Sequence, residues 1–183
     1  MPIAPISRFL AGLRNASPLD SVSQEIYGRV MAQARNAAFF TRYGFEDTVV
    51  GRFDLLSLHM FLFSHRLAAE ADTDSSLLGQ KVFDIFTAET DRALREIGIG
   101  DTSVPKRKKA MIRGFYAQVS EFADPLTARD ADAMASVLAS RFAGAGEDAI
   151  RRLASYMFEA ADMLAGIPLA DIGKGRLAWP DPA

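Results

Sequence analysis

Two histidines, His59 and His65, and one run of four cations, Lys106-Arg107-Lys108-Lys109, are the residues of this chain whose type and spacing invite chemistry. The histidines stand six positions apart, a rotation of roughly 240° on a helix, whereas two imidazoles chelate one ion from positions i and i+4. They do not make a metal site. His59 sits in an apolar run where a haem ligand can be imagined, but a lone histidine there reads more simply as packed, or bonded to a polar partner. The sequence has no paired Glu-x-x-His motifs, no glycine-rich phosphate loop with a lysine, no nucleophile elbow and no zinc-protease pattern. Gly98-Ile99-Gly100 is too short to cradle a phosphate. Cysteine is absent, which removes disulfides, thiolate ligands and a thiol nucleophile, and fits a reducing, cytoplasmic setting. The expectation is a protein without catalytic residues, metal, cofactor or small-molecule substrate.

The cationic run, joined by Arg113 one turn later, falls where a helix is expected to start. Cations there oppose the helix dipole, so local helix stability does not account for them. Two readings stand: a solvated turn partly paired to Glu96 and Asp101, or a contact for an anionic surface such as RNA, lipid head groups or an acidic partner. The whole chain adds no global pull, because 21 basic against 23 acidic residues leave a net charge of −2.

The elements that position these residues read as helices throughout. With 183 residues, 49% hydrophobic and 24% charged, the chain has the balance of one globular domain with a substantial core. Apolar spacings of three and four recur and strand-like alternation does not, which predicts an all-α, single-domain bundle of about six helices around a central apolar helix. The first runs from about Ser21 to Tyr43 with Ile26, Val30, Ala34 and Ala37 inward, ended by Gly44. The second, capped by Asp47 or Thr48, covers about Val49 to Ala71; Leu55 to Phe63 makes it nearly apolar all round, hence central. The third spans about Ser75 to Ile97, with Leu78, Val82, Ile85, Phe86, Ala93 and Ile97 inward, and Gly98 and Gly100 break it. A fourth starts near Pro105 and is expected to stop at Asp124-Pro125. A fifth follows a Thr127/Asp130 cap, and a sixth carries Ile150, Leu153, Met157 and Leu164. Residues 1–19 read as an amphipathic N-terminal arm, 20–165 as the helical core and 166–183 as an irregular tail. The Leu55 to Phe63 run is too interrupted on either side by Arg52, Asp54, His65 and Arg66 to span a bilayer. Phe61, opposite Phe63 on its helix, is either core or part of a groove that accepts a partner's helix.

Several linked words carry a resemblance. Asp47-Thr48-Val49-Val50-Gly51-Arg52-Phe53-Asp54-Leu55-Leu56, continuing through Leu58-His59-Met60-Phe61-Leu62 to Arg66-Leu67, is similar to the signature segment of the ubiquinol–cytochrome c chaperone family. Gly79-Gln80 with Phe83-Asp84, then Asp91, Leu94 to Asp101, Ser103-Val104 with Lys106-Arg107, and Phe115-Tyr116 resemble its second block in order and spacing. The likeness covers about residues 24 to 122 and departs at Ala117-Gln118, where the family pattern is Gly-Arg; the C-terminal third carries few matching words.

The resemblance implies a bacterial assembly factor for respiratory complex III that holds newly made cytochrome b, a nascent membrane protein, until haem insertion and assembly. Mitochondrial relatives bind that client, work with a small partner subunit and associate with the ribosome. By the same resemblance, client contact falls on Arg52, Phe53, His59 and Phe61. Ribosomal contact, or contact with an anionic surface at the inner membrane, falls on Lys106, Arg107, Lys108 and Lys109. The rival reading is a helical regulatory or structural interaction module, either a homodimer or a nucleic-acid binder using the basic turn. A further rival, an enzyme of unfamiliar type, requires a pocket that joins His59 to Asp54 or Asp84.

Overall fold

The computed structural model describes residues 17–70, 72–142 and 144–182, so most of the expected N-terminal arm, residues 1–16, lies outside the described residues. Among those described, the regular elements are all helices: α1 Pro18–Ala34, α2 Ala38–Thr41, α3 Val49–Ala68, α4 Thr73–Glu96, α5 Val104–Ala128, α6 Ala131–Arg141, α7 Glu147–Ala165 and α8 Leu169–Ile172. Six are long and two, α2 and α8, are single turns. The architecture is the expected all-α bundle.

α3 is the central helix. Every residue from Leu55 to Phe63 is buried, and α1, α4, α5 and α7 all pack on it. Its start is set locally: the Thr48 hydroxyl accepts the Gly51 amide at 3.1 Å, satisfying one of the unpaired N–H groups of a first turn. A Cβ on Gly51 would stand 2.3 Å from the Glu46 carbonyl oxygen, so the chain can enter α3 at this angle only with glycine there.

Three boundaries differ from the sequence reading. The first helix does not run to Tyr43 but stops at Ala34, because the Asn36 side chain accepts the Ala38 amide and turns the chain so that Phe39 enters the core in α2. α5 does not end at Asp124-Pro125 but passes through Pro125 to Ala128. Phe115, Phe122 and Leu126 form one buried stripe, and burying Leu126 requires another turn despite the amide that proline lacks. Arg129, in the left-handed conformation at φ 55°, then ends the helix. The cap of α6 is Asp130, whose carboxylate accepts the Ala133 amide at 2.9 Å, with no part for Thr127. The tail beyond α7 is irregular apart from α8 but is packed, with Ile172, Leu177 and Pro180 buried.

Candidate functional site

One hydrogen-bonded network of the interior is centred on His59. His59 is fully buried on α3. Its Nδ1 lies 2.7 Å from the Leu55 carbonyl and its Nε2 2.7 Å from the Tyr156 hydroxyl. A carbonyl only accepts, so Nδ1 carries the hydrogen, Nε2 is the acceptor and Tyr156 donates to it. Gln33 Nε2 donates in turn to the Tyr156 oxygen and to the Pro180 carbonyl, each at 2.9 Å. Phe39 and Trp179 edge onto the imidazole. Burial without a counter-charge pulls the His59 pKa down to about 4, so the ring is neutral and its hydrogen bonds are filled. This is a structural histidine whose network ties α1, α3, α7 and the tail together.

His59 is fully buried and its ring nitrogens meet no acid among the described residues. Asp54 lies five positions earlier on α3, where burial raises its carboxyl pKa and Arg141 opposes the rise. Asp84 is exposed on α4 and accepts from Gln80. His65 faces Thr127 instead of His59. Among the described residues, no group of three His, Cys, Asp or Glu is placed to hold a metal ion.

An open groove of about 430 Å³ lies nearer the start of α3, walled by α1, the first turns of α3, the C-terminal half of α4 and Met111 of α5. Its floor is apolar: Tyr27, Met31, Phe53, Leu56, Leu94 and Met111. Ile97 and Val49, which also line it, are about half exposed, and Val50 beside them is 68% exposed. Single exposed apolar residues are ordinary; two on the lining of one apolar depression, with a third next to them in sequence, mark a candidate interaction surface. Arginines and glutamates rim the groove. Arg52 is held by Asp47 at 2.5 Å and Arg92 by Glu89 at 3.2 Å.

The structure separates the residues that the sequence associated with client contact. Arg52 is exposed and Phe53 half-buried, and both line the groove. His59 and Phe61 do not reach it. Phe61 is 1% exposed and meets Phe122 edge to face with centroids 5.5 Å apart. In this conformation neither offers a partner any surface, because α5 covers the face on which Phe61 lies. Ile97, read as core, is instead half exposed on the groove rim, since α4 ends at Glu96 and the chain turns away through Gly98 at φ +83°.

The basic turn is solvated. Lys106, Arg107, Lys109 and Arg113 are exposed, and Lys108 reaches Asp91 at 3.8 Å. The expected pairing with Asp101 is taken over by Arg95. Lys108 and Lys109 line a separate hollow of about 450 Å³ with Thr87, Asp91, Pro105 and Ile112. No helix among the described residues is long and apolar enough to cross a membrane.

The chain matches known proteins over most of its length. The sequence model of a family described as ubiquinol–cytochrome C chaperone matches residues 41–179, which include most of the groove walls and extend well past the residues that carry the sequence likeness. The crystal structure of the Cbp3 homolog from Brucella abortus is 30% identical, superposes with a TM-score of 0.84, and the match covers 95% of this chain and 97% of that one. No curated protein matches.

Proposed function

Because this chain belongs to the ubiquinol–cytochrome c chaperone family, we propose that it is an assembly factor for respiratory complex III that shields an apolar segment of newly made cytochrome b in the groove between α1, α3 and α4. The observation that supports this reading is the groove itself. Most of its lining, with the exposed Val49, Val50 and Ile97, lies in the part of the chain that the family model matches, and Tyr27 and Met31 lie before it. A holding chaperone needs such a surface and no reacting groups, since it works by keeping apolar client area out of water. The polar interior, centred on a neutral and fully bonded His59, supplies no acid–base pair. On this reading the protein is not an enzyme and acts on the cytoplasmic face of the inner membrane. Arg52 and Phe53 contact the client directly, and His59 and Phe61 act through the shape of α3.

The exposed cations Lys106, Arg107 and Lys109 are assigned in the same proposal to an anionic surface, ribosomal or lipid, next to the site of client synthesis. Such a contact weakens steeply with salt, whereas apolar capture in the groove hardly changes.

The test is a photo-crosslinker at Val50 and another at Lys108 during cytochrome b synthesis. Capture of cytochrome b at Val50 is expected, and Val50→Asp abolishes it while shifting stability by no more than about 0.5 kcal/mol, as for an exposed site. A deletion strain that accumulates complex III normally would overturn the assignment.

A further inference from the structure

A hollow of about 380 Å³ opens where the first turns of α1 and α4 meet α8. Leu19, Val22 and Leu169 on its lining are half-buried and Leu78 is buried, while Asp72 and Asp74 stand exposed at the start of α4. Asp72 is engaged as the cap of α4, accepting from the Ser75 amide at 2.9 Å. Asp74 has no ion pair among the described residues. No cation lines this hollow, whereas the groove beside α3 carries Arg35, Arg52 and Arg92, and the hollow at the basic turn carries Lys108 and Lys109.

Pro18 and Leu19, the first residues of α1, belong to the lining, so the preceding chain joins the protein at the edge of the hollow. It does not join as a continuation of α1. Ser17 is extended at φ −62° and ψ 154°, it closes a capping box with Asp20, and Pro18 opposes a helical residue before it. In the sequence of that preceding segment, Ile6, Phe9, Leu10 and Leu13 keep the spacing i, i+3, i+4, i+7. Its charges are Arg8 and Arg14, and no acid occurs before Asp20. A helical stripe two turns long is not stable in water by itself and needs a surface that buries it. Four residues separate Leu13 from Pro18, a reach of at most about 17 Å, so seating the stripe here closes only a short loop. The sign of the charges agrees: two arginines meet a rim of two aspartates, where either other depression would set them against cations. We propose that the hollow between α1, α4 and α8 seats this chain's own residues 6–13, with the apolar stripe against its lining and Arg14 facing Asp74.

The chain has no cysteine, so the test uses pairs introduced into the full chain. Ala170, exposed on the hollow, is changed to cysteine, and a second cysteine is placed in turn at Ile6, Phe9, Leu10 and Leu13. Under mild oxidation at least one pair is expected to form a disulfide within a single chain, and none is expected with Ile97→Cys on the other groove. In parallel, limited trypsin digestion follows cleavage after Arg14. Phe9→Asp combined with Leu10→Asp should speed it by about tenfold or more, the factor lost with one large buried side chain. Asp74→Asn, at an exposed position, should speed it by about 1.5- to 5-fold. Disulfides that link two chains would make a second copy's arm the occupant and overturn seating within one chain. Disulfides to Ile97→Cys would move the arm to the other groove and overturn it equally. If no pair closes and wild type is cut as fast as the double variant, the arm is not seated on the protein. Cleavage after Arg14 that only anionic vesicles slow would give the segment to a lipid surface instead.

Discussion

Tyr156 and Tyr27 are both buried beside α3. The hydroxyl of Tyr156 is bonded to His59 and Gln33, and that of Tyr27 has no partner among the described residues. Around Tyr156 the two imidazole nitrogens, the Gln33 amide nitrogen and the Leu55 and Pro180 carbonyls find their complements and aromatic rings close over them, while the Trp179 indole nitrogen is left unpaired among the described residues. Around Tyr27 the wall opens into a groove lined by the half-exposed Val49 and Ile97. One tyrosine hydroxyl is thus held by bonds within the chain, and the other gains none. The difference teaches that a buried polar atom is informative through its bonding state: satisfied, it fixes the packing around it; unsatisfied, it is a cost that removing the atom relieves.

The largest expected effect comes from Phe61→Ala, in the core between α3 and α5. It should cost about 3–5 kcal/mol in denaturant unfolding, as for other buried phenylalanines. A stable variant that loses only client capture would move Phe61 from the core to the contact surface.

Acid comes next. His59 titrates near 6.5 unfolded and near 4 folded, so the unfolded chain binds the extra proton between those values and stability falls as the pH drops through that window. The loss amounts to about 3 kcal/mol, complete near pH 4. Asp20 and Asp47, held low by Lys81 and Arg52, contribute mainly nearer the ordinary carboxylate value. Chemical denaturation from pH 7 to 4.5 measures the effect. His59→Phe should flatten it, and a wild-type midpoint that does not move would mean that His59 is charged or exposed.

The matched pair of tyrosine-to-phenylalanine changes gives the smallest and sharpest test. Tyr156→Phe leaves His59 Nε2 buried without a donor and should cost about 1–3 kcal/mol, whereas the same atom removed at Tyr27 costs nothing. Equal losses at both sites would erase the distinction between the two hydroxyls.

Much of this arrangement is legible in the sequence. The all-apolar circumference of Leu55 to Phe63 identifies α3 as central, because a helix without a polar face needs neighbours on every side. The linked words around Val49-Val50-Gly51-Arg52-Phe53 carry the family likeness, and three of these residues, Val49, Arg52 and Phe53, line the groove. The groove itself is not legible. Ala93 and Ile97 keep the spacing of core residues, and only the end of α4 leaves Ile97 half exposed. His59 and Phe61 sit in the signature run, but their burial depends on α7 and α5, whose approach no local pattern encodes. The partnerless hydroxyl of Tyr27 is likewise a product of tertiary packing; in sequence it is one tyrosine at an inward position. Pro125 is a similar case, where the burial of Leu126 overrides a local stop signal.

The His59 network joins Gln33 to residues 123 and 147 positions further along the chain. Its closure therefore waits for α7 and the tail after it, when the entropic toll of a very long loop is met all at once. The helices that wall the groove leave the ribosome well before α7 does. Until that helix and the tail arrive, His59 lacks the Tyr156 donor and Gln33 the Pro180 acceptor, and the midline of the bundle stays open.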